Sequence, residues 1–86
     1  MARVTPPNRR FRERLDDIKA NRPDLVFLVR RTMRQIADDP LLTGNLPLPF
    51  HPQRSRGRMY PVPPHFTIIY NVSDDGNTVE FLDVWY

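Results

Sequence analysis

No cysteine occurs in the 86 residues, which excludes disulfides and thiolate metal sites. Three glycines are too few for a glycine-rich phosphate loop. The two histidines, His51 and His65, lack the neighbouring carboxylates that a zinc set needs, so no metal and no other cofactor is expected. Ser55 and Ser73 stand in contexts that offer no catalytic triad. No apolar run approaches the roughly 20 residues of a membrane span, and the N-terminus has no signal-peptide core; a cytoplasmic protein is expected. The length allows one domain over residues 1–86. A core of this size leaves a net stability of only about 3–5 kcal/mol.

Positive charge is missing from one stretch. Residues 59–86 contain no Lys or Arg, whereas residues 1–58 hold all 13, every one an arginine except Lys19. The planar fork of arginine suits phosphate and carboxylate, so nucleic acid or an acidic protein is a candidate partner. Ordinary solvated helix faces account for the same charges without any partner.

Two helices are predicted ahead of three strands. Thr5 or Asn8 is placed to cap the first, with Pro6-Pro7 beside its start, and Phe11, Leu15 and Ile18 form its apolar stripe. Ala2 to Thr5 suits a short edge strand that the prolines then stop. Asn21 is the expected cap of the second helix, whose stripe is Leu25, Leu28, Val29, Met33 and Ile36 and whose end is set by Pro40. The short link between them implies a helical hairpin. Residues 40–52 are proline-rich and read as irregular. Arg56 to Val62, His65 to Val72 and Thr78 to Trp85 read as strands, with Pro63-Pro64 and Asp75-Gly76 as turns. Helices followed by strands make an α+β domain.

A two-residue turn at Asp75-Gly76 sets Val72 opposite Val79, Tyr70 opposite Phe81 and Phe66 opposite Trp85, on one apolar face. His65, Thr67, Asn71, Glu80 and Tyr86 then share the other face, with His65 opposite Tyr86. This register also sends the Asp83 carboxylate to the apolar side, and a five-residue loop that sets Glu80 opposite Tyr70 is no better.

The segments DDPLLTGNL and RGRMYPVPPHFTIIYNVSDDGNTVEFLDVWY, following two helices, resemble the RelE/ParE toxin superfamily over nearly the whole chain. That resemblance implies a helical hairpin packed on a twisted, mainly antiparallel sheet of three to four strands. It also implies the toxin of a type II toxin-antitoxin system, held by a cognate antitoxin. A RelE-like member cuts mRNA on the ribosome and so inhibits translation. A ParE-like member binds DNA gyrase, and a degenerate relative only binds a partner. Thr67 stands where family members usually carry arginine.

Ribonuclease chemistry of the RelE kind needs the 2′-hydroxyl deprotonated, the phosphorane charge neutralised and the leaving oxygen protonated. Arg54, Arg56, Arg58 and Tyr60 alternate, so an extended segment puts them on one side. Arg56 and Arg58, with His65 and Tyr86 for proton transfer, are the candidate catalytic residues, and Arg54 and Tyr60 the candidate RNA-binding ones. Cross-strand pairing of Arg56 and Arg58 with Glu80 or Asp83 is the structural alternative. Tyr60 and Tyr70 equally suit core or rim positions with wet hydroxyls.

Overall fold

The computed structural model describes residues 2–40, 46–47, 57–73 and 75–86. Arg54 and Arg56, like His51, lie outside the described residues. The elements run β1 (Arg3–Val4), α1 (Arg9–Asn21), a 3₁₀ turn (Pro23–Leu25), α2 (Val26–Asp38), β2 (Leu46–Pro47), β3 (Gly57–Val62), β4 (Phe66–Val72) and β5 (Thr78–Trp85). The strands form one sheet in the order β1-β5-β4-β3-β2, parallel between β1 and β5 and antiparallel elsewhere. The fold is α+β with an N-terminal helical region, as expected. The short edge strand expected within Ala2 to Thr5 forms as β1, and the sheet gains a strand at its other edge, Leu46–Pro47, inside the segment read as irregular.

Both helices stop for the same reason. The residue before a proline is driven out of the helical region by the pyrrolidine ring, and Arg22 (φ −139°, ψ 65°) precedes Pro23 while Asp39 (φ −149°, ψ 86°) precedes Pro40. At the start of α1 the Asn8 side chain accepts from the Arg10 N–H at 2.9 Å. Asn21 is not the cap of the second helix. It is the last residue of α1, and its amide donates to the Asp17 carbonyl at 3.0 Å. Arg22 instead grips Asp24 through two hydrogen bonds of 3.2 and 3.0 Å, which hold the Asp24 carboxyl below its usual range.

Phe11 and Ile18 from α1, with Leu25, Val29 and Ile36 from the second helical segment, are buried against Phe66, Ile68, Tyr70, Val72, Val79, Phe81 and Val84 of the sheet. Full burial of such a side chain stabilises by roughly 1.5–3 kcal/mol. Phe11 stacks at a tilt on Phe81 with centroids 5.4 Å apart. Thr32 also lies buried in the α2 stripe, its hydroxyl donating to the Leu28 carbonyl at 2.8 Å, so a polar residue completes the apolar face. The N-terminus docks on this core through Ala2 N–H to the Ala37 carbonyl (2.7 Å), and Thr5 and Asn8 N–H continue the β1 edge along β5. No described helix is long and apolar enough to cross a membrane.

The β4–β5 hairpin keeps the expected register at its turn, with Val72 opposite Val79 and Tyr70 opposite Phe81. The connection is longer than Asp75-Gly76, because the Ser73 N–H closes it on the Thr78 carbonyl at 2.9 Å. Gly76 takes φ 73°, and Asp75 ties the turn together by accepting from the Ser73 hydroxyl (2.6 Å) and the Asn77 N–H (2.9 Å). Beyond Tyr70 the register shifts. Ile69 faces Asp83, Ile68 faces Val84 and Thr67 faces Trp85, so Leu82 is a bulged extra residue on β5. The expected pairs Phe66–Trp85 and His65–Tyr86 are therefore not formed. An unbroken ladder would bury the Asp83 carboxylate, at a cost of several kcal/mol. Breaking the ladder at one position forfeits about one hydrogen bond, roughly 1 kcal/mol. The bulge wins, placing Val84 in the core and Asp83 outside it.

Candidate functional site: an aromatic groove at one end of the sheet

Cross-strand partners share a face. The register thus lines up Pro61, Thr67 and Trp85 as one row across β3, β4 and β5, on the face away from the Ile68–Tyr70 core row. The β3–β4 turn closes the end of this row, through the His65 N–H donating to the Val62 carbonyl at 2.8 Å, with Pro63-Pro64 as a cis bond inside the turn. Together Pro61, Pro63, Pro64, His65, Thr67, Trp85 and Tyr86 line an open depression of ≈ 400 Å³. His65 and Tyr86 are exposed at its rim, and Trp85 keeps 48% of its surface exposed.

The structure brings two of the predicted catalytic residues, His65 and Tyr86, to this one groove, though not as register partners. It separates Arg58 from them. Arg58 lies opposite Tyr70, and the run of β4 from Tyr70 to His65 spans about 17 Å at ~3.3 Å per residue. Arg58 and Tyr60 also share the face of Tyr70 and Ile68 rather than that of Thr67, and Tyr60 packs on the core. Tyr60 is a rim aromatic. Tyr70 differs from the wet-hydroxyl expectation: its side chain is fully buried and its hydroxyl donates to the Pro40 carbonyl at 3.1 Å. Burial pushes that hydroxyl up to about 12, against a smaller lowering by the Arg58 charge.

Asp83 pairs with neither Arg58 nor any other strand arginine among the described residues. Its carboxylate accepts from the Val84 N–H (2.8 Å) and the Trp85 indole N–H (3.1 Å), and it meets Arg14 at 3.4 Å and Arg10 at 3.6 Å from α1. Trp85, Asp83, Arg10 and Arg14 were not among the candidate site residues, Asp83 being read only as a possible partner of Arg56 or Arg58 and Trp85 as the partner of Phe66. The Asp83–Trp85 spacing of two is a legible signal, since alternate residues of a strand share a face, but the face itself depends on the bulge.

Chemically, the groove offers two aromatic faces, an imidazole, a hydroxyl at Thr67 and a phenol. It can hold a planar ring and exchange a proton. No Lys or Arg is among its described lining residues, so neutralising a phosphorane there falls to groups outside it. Among the described residues no group of three His, Asp or Glu is placed to hold a metal ion. A second depression, ≈ 510 Å³, runs along α2 and is lined by Phe27, Arg30, Arg31, Arg34, Gln35 and Asp38. Comparison with models of known protein families and with curated protein sequences returns no match.

Proposed function

We propose that this chain is the toxin of a type II toxin-antitoxin system, a cytoplasmic RelE-like protein that acts on mRNA in the ribosome and so blocks translation. The observation that carries this is the convergence of His65 and Tyr86 on one open, aromatic-walled groove, set on the helical-hairpin and antiparallel-sheet architecture that the RelE/ParE resemblance implies. In this reading the groove takes an unstacked base, and His65 and Tyr86 handle the protons of 2′-hydroxyl attack and 5′-oxygen departure. The cognate antitoxin meets the basic face of α2, where Phe27 is 75% exposed beside Arg30, Arg31 and Arg34 and none of the three arginines pairs with a described acid. An acidic, partly apolar segment fits such a face.

Induced expression tests it. Growth should stop, and primer extension should map cuts inside translated codons; intact mRNA in arrested cells overturns the nuclease reading. One observation favours a second reading, a ParE-like gyrase inhibitor or a binding-only relative. Thr67 occupies the middle of the groove row, and no Lys or Arg is among its described lining residues. Loss of supercoiling activity with intact mRNA selects the gyrase inhibitor. Harmless overexpression without an antitoxin selects the binding-only relative.

A further inference from the structure

Trp85 is the one tryptophan of the chain and lies about half exposed at the groove wall. Its indole N–H is already spent on the Asp83 carboxylate at 3.1 Å. The ring is thereby pinned at its edge, and what it still offers a ligand is its π-face. Asp83 is itself held. Its side chain is 14% exposed and braced by its own strand through the Val84 N–H, and it accepts the approach of both Arg10 and Arg14 through Nε. Neither arginine pairs with another described acid, and both side chains are open to solvent. One carboxylate facing two guanidinium groups leaves a surplus positive charge at the carboxylate that also holds the indole N–H.

A pinned aromatic plate with unspent arginine charge at its side matches the chemistry of a single-stranded nucleotide. The base needs a face to stack on, and its phosphate needs a cation within one nucleotide's reach. We propose that Trp85 is the stacking platform for one unpaired ribonucleotide, with Arg10 and Arg14 meeting its phosphate and Asp83 acting as the positioning residue that orients both. This rests on reading the groove as RNA-facing, and adds residues of α1 and β5 that the catalytic reading does not use. Recognition at this plate is indifferent to base identity, because every base has a π-face and the indole donor is already engaged.

The lone tryptophan makes the test direct. Titration of the full chain with hexauridylate and with hexaadenylate should quench Trp85 emission saturably in both cases. An oligonucleotide abasic at every position should bind through phosphate alone without quenching. Trp85→Ala, followed by anisotropy of a labelled strand, should loosen binding about tenfold or more. Arg10→Ala with Arg14→Ala should weaken binding and flatten its salt dependence. Asp83→Asn keeps an acceptor for the indole N–H but gives up the charge that holds both arginines, so Trp85 should still be quenched while binding loosens, a split that mere loss of structure would not produce. Equal quenching by the abasic strand, unchanged affinity in Trp85→Ala, or unchanged affinity in Asp83→Asn overturns the proposal. Cleavage of mRNA by a chain whose Trp85 is never quenched overturns the platform and leaves the toxin reading standing. Saturable quenching in a chain harmless to cells does the reverse.

Discussion

The Tyr70 hydroxyl on the central strand donates to the carbonyl of Pro40, the second residue beyond α2, at 3.1 Å. One buried hydrogen bond thus ties the end of the helical segment to the middle of the sheet, thirty positions later in the chain.

Tyr70→Phe keeps the ring in place and removes that donor, so it should cost about 1 kcal/mol in urea unfolding at neutral pH. Alkali should act on the same bond. Burial raises the hydroxyl of the folded chain to about 12, above the value near 10 of an exposed tyrosine, so the unfolded chain releases the proton first. The stabilising contribution is whole below pH about 10 and is lost as pH rises through about 12. Urea midpoints at pH 8, 10 and 11.5 should fall more steeply for the wild type than for Tyr70→Phe.

Val84→Thr discriminates between the bulged and the unbroken hairpin. With the bulge at Leu82, position 84 is fully buried opposite Ile68, and a hydroxyl there should cost about 1–3 kcal/mol. In an unbroken ladder the side chain would point outward and the substitution would be close to neutral. Chemical denaturation of this single variant decides it.

Gly76 sits in the left-handed region with φ 73°. A β-carbon there is costly, and Gly76→Ala should destabilise by about 1–2 kcal/mol, read as a lower Tm. A change smaller than the error of the melt would mean that the turn readily adopts another geometry.

Arg58 and His65 lie far apart on β3 and at the β3–β4 turn, and on the nuclease reading they should separate in function. His65→Ala should slow single-turnover cleavage of ribosome-bound mRNA by about 10²–10⁴-fold, the range of a lost general acid or base. Arg58→Ala, placed opposite Tyr70 on the other face, should leave that step within about twofold of wild type, by the same measure. A slowing of Arg58→Ala as severe as that of His65→Ala would place Arg58 in the reacting centre after all.

Local chemistry made much of the architecture readable. The apolar spacing of Phe11, Leu15 and Ile18 and of Leu25, Val29 and Ile36 exposes both helices, and the prolines at 23 and 40 end them within a residue or two. The pairing near the turn follows from Asp75-Gly76. Asn21 misled because a residue that favours caps also serves at the end of a helix, and Pro23 two residues later decided which. His65 and Tyr86 were legible as candidates at the ends of two strands, but the direct pairing read from an unbroken register does not form. What tertiary structure alone decided was which face each later residue of β5 serves. Period-two alternation carries no mark of an inserted residue. The bulge at Leu82 arises because the core accepts Val84 and rejects the charge of Asp83, a choice made by the helices packed against the sheet. That one inserted residue puts Asp83 outside the core, within reach of Arg10, Arg14 and the Trp85 indole, and Trp85 in the groove beside Thr67.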